Sequence, residues 1–443
     1  MHAKTSCIAY KNEVGRADIA VDLHPFIRKY NDGHIVRFLS SSFVAASEDL
    51  GGGSASRGVS TRDVVIDPGT GVSARLFLPS RAAATGRRLP LVIYIHGGAF
   101  CTESAFCRTY HRYVASLAAN AGALVVSVEY RLAPEYPIPT AYEDSWTALR
   151  WVASLSDPWL TDYADPGRVF LAGDSAGGNI AYHMAVRASR DASIMDVEGL
   201  VMVQPFFWGT ERLPSETNRP EDAVVLPARR VDWLWPLLTA GKASNDDPRL
   251  NPPDEEIASL ACRRVLVAVA ERDTLRDRGC QLAGRMHHSP LIGDNVTLIE
   301  SEGEDHGFHL YSPLRATSRS LMKGIVQFIN QRVQSPPTTT IVFPELNRLP
   351  MLLAHEAGAV SSTVGADLAQ PLTSVLPRPF NDIFAYPKAG RAPMSTTRSS
   401  LNPGRVKASK ISIGFFYRRQ RPDKANIGPF STAFRARSLV NNF

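Results

Sequence analysis

Arg168-Val169-Phe170-Leu171-Ala172-Gly173-Asp174-Ser175-Ala176-Gly177-Gly178-Asn179 is the stretch on which the fold turns. The apolar run Val169–Ala172 predicts a short buried strand, and the pattern from Asn179 to Ser189 predicts a helix. Small residues at 173 and 177 permit a sharp turn between them. A strand, Gly-x-Ser-x-Gly and a helix together are the context of a nucleophile elbow, a crowded turn that presents a serine hydroxyl at a strand end. Without those flanks the serine would read as an ordinary loop residue between glycines. With them, Ser175 is the candidate nucleophile.

A serine hydroxyl attacks only after a general base takes its proton, and that base needs a carboxylate to orient it. Downstream of such an elbow the acid precedes the histidine. Among 11 histidines, His306 is preferred because Glu304-Asp305-His306-Gly307-Phe308 follows a predicted strand, Val296–Ile299, and precedes the last predicted helix. His309 is the rival and reads as a neighbour or a surface residue. The acid should end the preceding strand, and Val265–Ala270 runs into Glu271-Arg272-Asp273. Asp273 is the candidate, Asp277 reads as a cap or an arginine partner, and Asp305 adjoins the histidine too closely to reach its distal ring nitrogen. An oxyanion needs N–H donors, each worth about 3 kcal/mol of barrier. His96-Gly97-Gly98-Ala99-Phe100 follows the predicted strand Leu91–Ile95, so the Gly97, Gly98 and Ala176 amides are the expected donors.

Around these motifs short apolar runs alternate with helical patterns, the signature of an α/β fold with a mostly parallel central sheet and helices on both faces. Further strands are predicted at Ala74–Leu78, Leu124–Glu129 and Leu200–Gln204, and helices at Tyr110–Ala119, Tyr142–Leu155, Gly279–His288 and Arg315–Val333. In the second of these helices Trp146 reads as core. The stretch Trp208–Asn251, rich in Trp and Leu among prolines and charges, is a candidate cap over a pocket. Residues 1–60 form a mixed N-terminal segment with a turn at Asn31-Asp32-Gly33 and a flexible Gly51–Ser56 insert. The catalytic domain is expected over 61–335, followed by a basic, Pro/Ser/Thr-rich, disordered extension over 336–443.

Hydrophobic residues make up 44% and charged residues 21% of the 443, a balance that suits a globular core. The five cysteines are odd in number and lack zinc spacing, so free thiols are expected, and acyl transfer through a serine implies no metal or organic cofactor. No apolar run is long enough to span a membrane and no secretory h-region opens the chain. A cytoplasmic location, extending to the nucleus, is the corresponding expectation. The net charge of +6 belongs to the extension, which holds 14 Lys and Arg against 5 Asp and Glu, while residues 1–335 hold 35 against 38. Dispersed among Pro, Ser and Thr, those charges read as solvated, and no nucleic-acid partner is expected.

His96-Gly97-Gly98-Ala99, Tyr130-Arg131-Leu132-Ala133-Pro134-Glu135, Gly173-Asp174-Ser175-Ala176-Gly177-Gly178-Asn179 and Asp305-His306-Gly307-Phe308 together resemble the plant carboxylesterases, in the hormone-sensitive-lipase branch of the α/β-hydrolase fold. The resemblance covers roughly residues 20–333. It implies a serine esterase of small hydrophobic carboxylic esters, with an N-terminal segment that lies over the active site as part of a lid. The Gly51–Ser56 insert and the extension after Ser335 depart from the family pattern. Two relatives of the same branch set the alternatives. The gibberellin receptors replace the catalytic histidine with an aliphatic residue, whereas His306 is present here; the hydroxyisoflavanone dehydratases keep a comparable triad and eliminate water.

Overall fold

Leu91-Val92-Ile93-Tyr94-Ile95 is apolar at every position, and in the computed structural model every one of these side chains is buried. A strand can bury both faces only when helices cover both, and the alternation is visible here. Leu91, Ile93 and Ile95 pack into one hydrophobic cluster, Val92 and Tyr94 into another on the opposite face. The structure describes residues 18–48, 58–191 and 194–332. The expected Gly51–Ser56 insert and the 336–443 extension lie outside the described residues.

The described strands are β1 (Ile19–Leu23), β2 (Ile27–Tyr30), β3 (Ile35–Arg37), β4 (Val59–Asp67), β5 (Val72–Pro79), β6 (Leu89–Ile95), β7 (Leu124–Glu129), β8 (Ala164–Asp174), β9 (Val197–Val203), β10 (Arg264–Ala270) and β11 (Val296–Ser301). The last eight form one sheet in the order β11-β10-β9-β8-β6-β7-β5-β4. Pairing is parallel from β11 through β7 and antiparallel where β5 joins β7 and β4 joins β5. Helices of eleven or more residues are α1 (Arg108–Ala121), α2 (Thr140–Ala153), α3 (Ala176–Arg190), α4 (Ala228–Leu238), α5 (Arg276–His287) and α6 (Ala316–Asn330). Val114 and Leu117 of α1 and Leu321, Ile325 and Phe328 of α6 cover one face. Trp146 and Leu149 of α2, Ile180 and Met184 of α3, and Leu282 and Met286 of α5 cover the other. Trp146 is core, as its spacing indicated.

Two segments sit outside this layered plan. Strands β1–β3 make a small antiparallel sheet, turned between β2 and β3 at Gly33, whose φ of 87° an L side chain would strain against. Arg37 at its end forms a two-pronged ion pair with Glu135 (3.0 and 2.7 Å) and donates to the Cys101 carbonyl (2.7 Å), tying the sheet to the loop after β6. The predicted cap segment supplies α4. Trp235 of α4 is fully buried, donates to Asp247 (3.1 Å) and meets the Phe100 ring edge-on at 5.7 Å.

Candidate active site

In a parallel sheet every loop leaving a strand's carboxyl end emerges on one edge, so residues far apart in sequence gather there. Four such loops build the site. The loop after β6 carries Gly97–Phe100, the turn after β8 carries Ser175, the loop after β10 carries Asp273 and the loop after β11 carries His306.

Ser175 has φ 52° and ψ −121°, a strained pairing for a residue with a Cβ. The strain is held by its surroundings: the Ser175 amide donates to the Val203 carbonyl of β9 (2.9 Å), and Phe206 donates back to the Ser175 carbonyl (2.9 Å). Gly177 is required here, since a side chain there would overlap the Ile95 carbonyl. Asn179, one turn into α3, accepts from the Tyr142 hydroxyl (2.7 Å) and donates to the Phe206 and Arg249 carbonyls, so the elbow is tied to α2 and to the cap segment.

The structure brings Ser175, His306 and Asp273 into one hydrogen-bonded series. Ser175 Oγ lies 3.0 Å from His306 Nε2, and His306 Nδ1 lies 2.8 Å from Asp273 Oδ2. The other Asp273 oxygen accepts the Leu275 amide (2.9 Å). Burial lowers the affinity of the His306 imidazole for a proton, but the adjacent Asp273 carboxylate outweighs it and holds the group above the ordinary histidine value. Asp305 is engaged by amides instead, accepting from Val225 (3.1 Å) and His306 (2.6 Å). Asp277 accepts the Ser215 amide (2.8 Å) and pairs with Arg276 (2.7 Å). His309 is no surface residue: it is 3% exposed, its ring stands edge-on to Tyr113, and neither ring nitrogen has a partner.

The oxyanion loop requires a correction. The Gly97 amide, expected to face Ser175, donates instead to the Tyr110 hydroxyl (2.9 Å), which in turn donates to Asp174 (2.7 Å). Its proton is committed to the protein, so it cannot also hold a developing oxyanion. Among the described residues the Gly98, Ala99 and Ala176 amides meet no acceptor, and the chain leaves Gly98 through positive φ at Gly98, Ala99 and Phe100 (96°, 53° and 58°). Sequence reasoning did not anticipate the unpaired Ala99 amide or the polar contacts behind these loops. Tyr94 and Tyr110 hold the buried Asp174 carboxylate. Gln204 accepts the Gly307 amide (2.9 Å) and donates to the Asp305 carbonyl (3.2 Å), bracing the histidine loop. Glu129 accepts from Ser104 Oγ and the Ala105 amide, and burial pushes its carboxyl up to about 7. None of these follows a motif with a known spacing.

This sheet order, with its elbow after β8 and its acid and histidine after β10 and β11, is the α/β-hydrolase architecture. A family model described as alpha/beta hydrolase fold matches residues 92–310. Probable carboxylesterase 2 of Arabidopsis thaliana is 35% identical over 322 residues, spanning 72% of this chain and 99% of that protein. The 2-hydroxyisoflavanone dehydratase of Glycyrrhiza echinata is 39% identical over 326 residues, 70% of this chain and 96% of that protein. Among solved structures, the hyperthermophilic esterase from Pyrobaculum calidifontis superposes with a TM-score of 0.53 at 31% identity, over 61% of this chain and 84% of its own. The chain belongs to the plant carboxylesterase family, within the hormone-sensitive-lipase branch of the α/β-hydrolases.

Cytoplasmic placement does not stand. Tuliposide A-converting enzyme 2 of Tulipa gesneriana, 39% identical over 70% of this chain and 79% of its own length, is named chloroplastic. Probable carboxylesterase 4 of Arabidopsis thaliana, 38% identical over 71% of this chain and 84% of its own length, is named mitochondrial. Such relatives point to organelles rather than the cytoplasm. The expectation failed because a missing apolar h-region speaks only against a secretory signal; transit peptides are amphipathic and carry no such region. No helix among the described residues is long and apolar enough to cross a membrane.

Proposed function

We propose that this protein hydrolyses small hydrophobic carboxylic esters through an acyl-enzyme on Ser175. The observation that carries the reading is the unbroken series Ser175 Oγ, His306, Asp273, with spacings of 3.0 and 2.8 Å. His306 takes the hydroxyl proton as Ser175 attacks the ester carbonyl, and the raised proton affinity set by Asp273 favours the imidazolium that forms. The Gly98, Ala99 and Ala176 amides receive the oxyanion. His306 then returns the proton to the departing alcohol, and a water activated by the same imidazole cleaves the acyl-enzyme. Phe100, Phe206 and Trp235, buried in mutual ring contact, anchor the oxyanion loop to the core.

The test is turnover of p-nitrophenyl acetate by the wild-type chain and by Ser175→Ala. Equal, slow rates in the two would end the esterase reading. A dehydratase reading is kept by the relative of that name, since elimination would use the same base; product analysis with a 2-hydroxyisoflavanone separates the two. His306, present and in contact with Ser175, speaks against a receptor that only binds.

A further inference from the structure

We infer that Tyr110 is a positioning residue for the oxyanion amides, its hydroxyl joining the oxyanion loop to the nucleophile elbow through one oxygen atom. The inference rests on the serine-hydrolase reading above and adds to it a residue with no place in the triad or the oxyanion hole. Tyr110 is buried, in the first turn of α1. Burial and the neighbouring Asp174 push its phenol well above the ordinary tyrosine value, so the group keeps its proton. That fixes its roles. The single O–H donates to Asp174 Oδ2 (2.7 Å) and a lone pair accepts the Gly97 N–H (2.9 Å).

The consequence for catalysis follows from chain connectivity. Asp174 precedes Ser175 directly, and Gly97 directly precedes Gly98 and Ala99, whose amides lack other acceptors. Turning the Gly97 amide toward Tyr110 orients the peptide from which the next two amides start. Packing leaves it little freedom: a Cβ on Gly97 would stand 2.6 Å from Asp174 Oδ2 and 2.9 Å from Tyr110 Oη. Oxyanion donors must be held within about 0.5 Å of their working positions, so a loosened Gly97 degrades the hole without removing any donor from it. Tyr94 supplies an internal control. Its hydroxyl donates to the other Asp174 oxygen (2.6 Å), while the Gly97 amide donates to Tyr110.

The experiment compares Tyr110→Phe with Tyr94→Phe by the rate at which a fluorophosphonate labels Ser175, which needs the nucleophile and the oxyanion amides but no particular ester. Rates are taken per titrated site, so that a loss of stability alone leaves them unchanged, and thermal melts report the folding of both variants. Tyr110→Phe is expected to slow labelling by roughly 10- to 100-fold, a fraction of the loss seen on deleting an oxyanion donor, while Tyr94→Phe stays within about threefold of wild type. With p-nitrophenyl acetate the same loss should fall on kcat and leave KM nearly unmoved. Equal losses in the two variants would place the effect on Asp174 and overturn the inference, as would wild-type labelling of Tyr110→Phe. A wild-type chain that the probe does not label sinks the hydrolase reading itself, and the role of Tyr110 with it.

Discussion

At the scale of single residues, the hydrogen-bonded series makes separable demands on its members. Ser175→Ala removes the attacking oxygen and is expected to lower kcat by about 10⁶-fold, read by ester turnover per mole of folded protein. Asp273→Asn keeps the shape but presents a donor or an uncharged oxygen to His306 Nδ1, and a loss of about 10⁴-fold is expected. The pH profile tests the electrostatics separately. His306 must be neutral to act as a base and its proton affinity is raised, so kcat/KM should fall on the acid side with a midpoint above the ordinary histidine value of about 6.5. In Asp273→Asn the residual activity should show that midpoint moved downward; an unmoved midpoint would mean that Asp273 does not set it. Ser175 and Asp273 were legible in the sequence because each follows a buried apolar run, and His306 because its Gly-bearing turn lies between the last strand and the last helix. The Gly97 amide was not, because a peptide's direction depends on Tyr110, which lies on the following helix and carries no motif.

Secondary-structure elements were readable in proportion to their burial. Strands β6, β7 and β10 are covered on both faces and appear as nearly continuous apolar runs, so their sequence expectations fall within two residues of the observed ends. Strands β1–β3 are three to five residues long with mixed, half-exposed side chains, and propensity alone says little about such pieces. They are placed instead by specific contacts, above all the Arg37 clamp on Glu135 and the Cys101 carbonyl. Arg37→Ala should therefore loosen the small sheet while leaving the central sheet intact. The expected result is faster limited proteolysis within residues 18–48 and a KM raised several-fold, with the melting temperature lowered by only a few degrees. Unchanged proteolysis would mean that other contacts hold the segment.

At the scale of the whole molecule, stability should depend on pH through histidines buried without charge. Burial lowers His96 to about 4 and His309 to about 3, whereas the same side chains in the unfolded chain take protons near 6.5. The unfolded state thus binds more protons below that point. The stabilisation is complete above pH 6.5 and is lost as pH falls toward the folded values, by about 1.4 kcal/mol per pH unit for each group. Urea melts between pH 7.5 and 4.5 would show the slope, and His309→Phe should flatten it. We propose further that residues 336–443 are dispensable, since matches covering 99% of a relative's length use only 72% of this chain. Their deletion is expected to leave turnover and melting nearly unchanged. The order in which the sheet collects its functional loops has a consequence during synthesis. Gly98 leaves the ribosome first, Ser175 and Asp273 follow, and His306 arrives last, on the loop after the sheet's outermost parallel strand. A nascent chain therefore carries an unactivated serine until translation has passed residue 306, and hydrolytic activity switches on as a report that the whole sheet has been delivered.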